Sequence, residues 1–161
     1  MLAPTDFSED SRKAVAFVRE LAKQFGARLA MLHVVELPPY PVEGDVPPNL
    51  SVTFVEDLER QATVDVAQVV PEAEAATGEV ARVVAMGTPD RTILETAEAN
   101  HVGLIVMATA GHTGLAHVVL GSLAERVVRT ASCPVLIIRP HASVNAAMAL
   151  ARERPHRRRR T

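Results

Sequence analysis

The chain has 161 residues, 48% hydrophobic and 22% charged, which suits one globular domain able to bury its own core. The formal net charge of −2 hides an asymmetry, because residues 1–138 carry 10 basic and 18 acidic side chains while residues 139–161 carry seven arginines and one glutamate. A single cysteine, Cys133, excludes an intrachain disulfide and a cysteine-based zinc site, and the absence of Trp with only 3% aromatics argues against base-stacking platforms. No apolar run is long enough for a transmembrane helix, and MLAPTDFSED has neither the basic nor the apolar region of a signal peptide, so the cytoplasm is the expected location and no membrane partner is expected.

In chain order, a strand β1 is expected at Leu2–Pro4. It is short for a strand, which leaves two readings open: a sheet that starts ragged at β1, or a start that lies inside a longer gene. Helix α1 (8–25) follows from Ala14, Phe17, Val18, Leu21, Ala22 and Phe25 at helical spacing, with Ser8 as its cap, Glu9 and Asp10 in its first turn and Gly26 at its end. Strand β2 (28–35) contains the nearly unbroken apolar run LAMLHVV. Five prolines make Glu36–Leu50 an extended surface loop. Helix α2 (51–76) rests on Val55, Leu58, Ala62, Val66, Val69 and Ala73, with Pro71 expected to kink or shorten it and Gly78 to end it. Strand β3 (79–86) leads to helix α3 (89–100), where Ile93, Leu94 and Ala97 form the stripe and the Thr88 hydroxyl caps a helix beginning at Pro89. Strand β4 (103–108) precedes helix α4 (122–131), built on Leu120, Leu123, Ala124, Val127, Val128 and Ala131, with a capping-box spacing at Ser122-x-x-Glu125. Strand β5 (134–138) closes the order.

Strict alternation of apolar strands and amphipathic helices predicts an α/β fold, a five-stranded doubly wound parallel sheet with helices on both faces, Rossmann-like in layout. Residues 1–140 form the expected domain. Residues 141–161 form a basic tail expected to be disordered, with only weak, salt-sensitive attraction to nucleic acid.

In such sheets ligands bind beyond the carboxyl ends of the strands, at the switch point. The loops after β1, β2 and β4 therefore hold the candidates. Asp6 suits ribose hydroxyls or a base amino group, and the glycines after β4 with Ser122 suit an anion at a helix start. Neither GxxxxGK[ST] nor GxGxxG occurs. Taken singly, Gly111 and Gly114 read as turn residues, Ser122 as a helix cap and Asp6 as a capping or turn residue. The histidines at 33, 101, 112, 117, 141 and 156 have no metal-motif spacing; His33 reads as a satisfied residue in the sheet or at its end. Cys133 before Pro134 reads as a buried, inert thiol. No catalytic triad emerges from these residues.

The pattern as a whole says more than its parts. The PTDFS end of β1, the LHVV run of β2 and MATAGHTGLAHVVLGSLAERVVRTASCPVLIIRP over Met107–Pro140 closely resemble the universal stress protein family. Its nucleotide-binding members carry G-x2-G-x9-G-[ST]; here the frame reads Ala108-x2-Gly111-x9-Gly121-Ser122, with alanine at the first position. If that position needs a positive φ, alanine costs about 1 kcal/mol or more; if it needs only room, one methyl group is tolerable.

The resemblance implies that Pro4, Thr5 and Asp6 meet adenosine, with Asp6 the polar contact. It implies that Val34 and Met107 line the adenine pocket, that Gly111 and His112 run beside the phosphates, and that Gly121, Ser122 and Leu123 hold them. It further implies ATP, AMP or ADP as ligand, Mg²⁺ carried on the phosphates without a protein cage, a homodimer through Val135–Ile138 and a stress-response role; any hydrolysis is expected to be slow, because no general base or arginine finger is evident in the sequence. Two alternatives stand beside it: a genuine nucleotide hydrolase with His112 as base, and a ligandless dimeric scaffold.

Overall fold

The computed structural model describes residues 1–36, 52–71, 75–76, 78–109 and 121–139. The expected proline-rich loop beyond Glu36 and the basic tail lie outside the described residues. Among the described residues the elements run β1 (Leu2–Pro4), α1 (Glu9–Phe25), β2 (Leu29–Val35), α2 (Val52–Val69), β3 (Val80–Met86), α3 (Pro89–Ala99), β4 (Ile105–Ala108), α4 (Ser122–Thr130) and β5 (Val135–Ile138). The five strands pair in parallel in the order β3-β2-β1-β4-β5. β1, the three-residue strand, is thus the centre of the sheet and not its edge.

Strand alternation sorts the core into two layers. Ala3, Leu29, Met31 and Val106 face Val15, Val18 and Ala22 of α1 and Val66 of α2. Leu2, Leu32, Ile105 and Met107 face Ile93 and Ala97 of α3 and Ala124 and Val127 of α4. Both faces of the central strands are covered, which is why their sequences lack polar alternation. An ion pair between Asp90 Oδ2 and Arg126 Nε, 3.0 Å, ties α3 to α4 across the second layer. The other carboxylate oxygen of Asp90 is shielded and has no hydrogen-bond partner among the described residues; its place in the first turn of α3 gives it the favourable end of the helix dipole.

Several element boundaries and faces differ from expectation, each for a local reason. α2 stops at Val69 instead of reaching residue 76. Val70 makes the last helical bond, to the Val66 carbonyl at 3.0 Å, and Pro71 has no N–H to continue. Arg82 Nε then donates to the Val70 carbonyl at 2.8 Å and Arg19 Nη1 to the Val69 carbonyl at 3.5 Å, so two cations serve the negative end of the helix. Gly78 consequently does not cap α2; it turns the chain into β3 with φ +73°.

Phe25 is 71% exposed although it lies within about 20° of Val18 around α1. It is the last helical residue before the left-handed Gly26 (φ 59°), beyond the covering layers. Val128 is exposed because Val127 takes the core-facing position, about 100° away. Thr88 occupies the cap position of α3 but its hydroxyl makes no capping bond, while Pro89 does open the helix. Cys133 is partly, not fully, buried, packed at the margin of the second layer.

Gly87 ends β3 with φ +147°, its N–H donating to the Val35 carbonyl at 3.1 Å, and a Cβ there would lie 2.5 Å from Thr92 Oγ1. Gly87→Ala is expected to lower unfolding free energy by about 1–3 kcal/mol in a denaturant titration, from backbone strain and the clash together. Adding Thr92→Ala should restore only the clash component. Arg82→Met is expected to cost about 1.5–3 kcal/mol by the same measurement, because a buried helix-end carbonyl loses a charged donor.

Candidate functional site

The candidate site begins with an interruption in the sheet. The chain fills positions β1, β2 and β3 in one direction, then returns to place β4 and β5 on the other side of β1. The switch point is therefore the junction of β1 and β4. β1 pairs with β2 over Leu2↔Ala30, Ala3↔Met31 and Pro4↔Leu32, but with β4 only at Leu2↔Ile105. Leu2 donates to the Leu104 carbonyl at 2.9 Å. Two residues on, the next donor toward β4 falls at position 4, which is proline and has no N–H. The ladder on that flank ends for a covalent reason.

On the other flank, Ala30 donates to the Met1 carbonyl at 2.9 Å and Thr5 donates to the Leu32 carbonyl at 2.8 Å. Even-numbered residues of β2 therefore direct their backbone groups at β1. Val34 is the next even residue, and β1 ends as a strand at Pro4. The Val34 N–H and carbonyl thus point toward the gap beyond the end of β1.

The turn that leaves β1 is tightly self-bonded. The buried Thr5 hydroxyl accepts from the Phe7 N–H at 3.1 Å and bonds the Ser11 hydroxyl at 3.0 Å. Asp6 Oδ1 accepts from the Ser8 N–H at 3.1 Å and the Ser8 hydroxyl at 2.6 Å, an Asx turn. Ser8 Oγ in turn accepts from the Ser11 N–H at 3.2 Å and caps α1, as expected. Lys13 lies 2.7 Å from Glu9 in the first turns of α1; its hydrogen bond and then its charge hold the Glu9 carboxyl below the usual carboxylate range. Phe7 has φ +63°, an uncommon left-handed conformation for a bulky residue. Its carbonyl accepts from Arg12 Nε at 3.0 Å, and its ring lies 4.3 Å from that of His33, tilted by 30°.

Across the junction, β4 ends at Ala108, paired with Ile138. Ala108 is in extended strand and is not among the residues with positive φ. Its methyl group therefore brings no left-handed strain, and only space around it is at issue. Thr109 donates to the Ile138 carbonyl at 3.1 Å, and Gly121 donates to the Thr109 carbonyl at 2.7 Å, which brings the start of α4 back against the end of β4. Gly121, not Ser122, is the cap of α4, with φ −57° and ψ 147°, and as a glycine it offers no side-chain bond to the helix end. The expected capping box is absent: Glu125 instead pairs with Arg129 at 2.8 Å. Ser122 is the first helical residue and is exposed. The N–H groups of Ser122, Leu123 and Ala124 have no partner within the helix, whose first internal bond is Glu125 to Gly121 at 2.9 Å.

Of the residues singled out from sequence, Pro4, Val34, Met107, Ala108, Ser122 and Leu123 lie on elements that end or begin around this junction, and Thr5, Asp6 and Gly121 lie in the chain beside them. Val34, Met107 and Leu123 belong to one apolar layer. Extending the Leu2↔Ile105 register by two residues sets Pro4 level with Met107. Gly111 and His112 lie outside the described residues. His33, read from sequence as a satisfied residue in the sheet or at its end, does bond the Thr5 carbonyl at 2.8 Å; neither it nor Phe7 is named there as a site residue, and the signals for them are a polar aromatic residue within the apolar run LAMLHVV and an aromatic residue inside a turn. Among the described residues, no group of three or more His, Cys, Asp or Glu is placed to hold a metal ion, and no helix is long and apolar enough to cross a membrane.

The chain was compared with known proteins. Residues 1–139 match the model of the universal stress protein family. Universal stress protein MJ0531 of Methanocaldococcus jannaschii is 33% identical over 143 residues, 86% of this chain and 81% of that protein. The solved structure of universal stress protein UspA from Lactobacillus plantarum aligns with TM-score 0.69 at 27% identity, over 86% of this chain and 95% of that one. Two further structures share the fold at lower identity. One is a universal stress protein in complex with cAMP (TM-score 0.62, 21% identity, 85% and 94% coverage) and the other the Archaeoglobus fulgidus protein in complex with dAMP (TM-score 0.55, 18% identity, 85% and 94% coverage). The family match across the folded chain, the relative at one-third identity and the shared architecture agree: this chain belongs to the universal stress protein family.

Proposed function

We propose that this chain is an adenine-nucleotide-binding regulatory module of the stress response, working as a cytoplasmic homodimer and hydrolysing ATP slowly at most. The observation that carries the reading is the pairing gap at the end of β1, with a helix start opposite it. A planar base with an acceptor nitrogen beside an amino group matches the neighbouring N–H and carbonyl of Val34. The apolar side chains of Val34 and Met107 suit its faces. Asp6, held in its turn by Ser8, suits the ribose.

Phosphates suit the N–H groups of Ser122, Leu123 and Ala124 with the exposed Ser122 hydroxyl. The folded part of the chain is acidic, so an anion has to be held by such local donors and not by a basic surface. Glu125 in the first turn of α4 would repel a phosphate, and its ion pair with Arg129 offsets part of that charge. Mg²⁺ would be held chiefly by the phosphates themselves. The complexes of fold neighbours with cAMP and dAMP are consistent with an adenine ligand class, and the proposal stands on this chain's own residues. The gap favours this reading over a ligandless scaffold. A hydrolase reading rests on His112, outside the described residues. The sheet ends at β5, whose Leu136 is among the exposed large apolar side chains, which suits a strand-edge dimer contact. On charge alone, residues 1–140 are read as the domain and 141–161 as a basic tail.

Calorimetry with AMP and with ATP–Mg²⁺ is expected to register binding and a matching rise in thermal stability; no heat and no shift would end the reading. Nucleotide released from freshly purified protein and seen by ultraviolet absorbance would reject the scaffold alternative. Ala108→Gly is expected to change affinity by less than about tenfold, because the alanine backbone is unstrained. Leu136→Asp is expected to convert the dimer to monomer in analytical ultracentrifugation.

A further inference from the structure

The β1–β2 ladder stops one rung early, and a side chain bonds the carbonyl that would form the next rung. In a parallel ladder, the residue that donates to position j−1 accepts from position j+1. Thr5 donates to Leu32 at 2.8 Å, so its carbonyl is next in line for the Val34 N–H. That carbonyl instead bonds His33 Nδ1 at 2.8 Å. A carbonyl oxygen only accepts, so Nδ1 carries the hydrogen. His33 is the residue directly opposite Thr5 once the Pro4↔Leu32 register is extended by one. The Phe7 ring covers the imidazole at 4.3 Å. Phe7 itself is fixed in its left-handed conformation by the Thr5 hydroxyl at its N–H and Arg12 at its carbonyl. Such a conformation persists only where several neighbours hold it.

We propose that His33 is a positioning residue that keeps the last rung of the ladder open. Its ring occupies the Thr5 carbonyl and leaves the Val34 N–H to a ligand bearing an acceptor nitrogen on a planar heteroaromatic edge. The apolar run around it would accommodate leucine or valine at this position, but neither has a donor. Without a donor, the Thr5 carbonyl turns to the Val34 N–H, and the two strands zip closed over the place the ligand edge needs. The ligand half of this inference rests on the nucleotide reading above; the backbone half does not.

Two variants separate the donor from the ring. His33→Phe keeps an aromatic face for Phe7 and removes the donor. His33→Asn removes the ring and keeps an N–H donor at the δ position. Amide hydrogen exchange is read at Val34 by NMR, and AMP affinity by calorimetry. In His33→Phe, Val34 exchange is expected to slow by about tenfold or more, because a formed rung protects it, and AMP binding to weaken by about tenfold. In His33→Asn, both quantities are expected to stay within about threefold of wild type.

A merely structural histidine predicts the opposite sign at Val34, since loosening speeds exchange. Val34 exchange at the wild-type rate or faster in His33→Phe overturns the proposal. If wild type takes up no AMP, the nucleotide reading falls and Val34 exchange alone decides this one. If AMP binds equally well to wild type and His33→Phe, the positioning role falls and the nucleotide reading stands. Should His33→Phe fail to fold, His33→Leu, which suits the apolar run, is judged by the same two criteria.

Discussion

Backbone pairing stops early at the carboxyl end of the central strand, and the rest of the candidate site is arranged around that stop. On the β4 side the cause is covalent: Pro4 has no hydrogen to give. On the β2 side it is a substitution of partners: His33 takes the Thr5 carbonyl at 2.8 Å. A sheet interior normally satisfies each backbone group across the ladder. Where two neighbouring rungs are withheld at the switch point of a doubly wound fold, the unmatched groups face the position where such folds bind ligands. The Thr5–Ser11 and Asp6–Ser8 bonds then keep the departing chain from collapsing into the gap.

The cost of this arrangement is borne by the surrounding layers. Phe7 in a left-handed conformation is expected to cost about 1–3 kcal/mol. Its backbone and ring contacts hold it there, and the packed layers on both faces of β1 keep the strand itself in place although only three residues long. The brevity of β1 is thus compatible with a central position, because burial on both sides substitutes for length. On the opposite flank, the bond from Gly121 to Thr109 seats the start of α4 against the strand end, leaving its first N–H groups outside the helix's own bonding.

Much of this was legible in the sequence, for identifiable reasons. Runs such as LAMLHVV and VARVVAM report strands covered on both faces, and Gly26 and Pro89 mark a helix end and a helix start through backbone chemistry that context seldom overrides. The misreadings share a cause: periodicity reports which residues would face a core, not how far the core extends. Phe25 keeps the helical phase of α1 and still falls outside it. α2 ends just before Pro71, the residue expected to kink or shorten it, and only the bound at residue 76 overshoots, because apolar residues continue past the proline. At the site, Pro4, Thr5, Asp6 and Val34 were visible as a pattern, but the His33–Thr5 bond was not. A histidine side chain bonding a backbone carbonyl 28 residues earlier in the chain leaves no mark in linear spacing. Ser122 was misread as a cap because a serine three residues before a glutamate fits two arrangements, and the choice depends on the Gly121–Thr109 contact.

The most direct test of a ligand crevice at the end of β1 is an AMP titration followed by two-dimensional amide NMR of the full chain. The account predicts that the largest shifts fall on Asp6 and Val34 and on Ser122 and Leu123, residues remote in sequence but gathered at one end of the sheet. Shifts concentrated instead on the outer faces of α1 and α2, with those four amides unmoved, would contradict it.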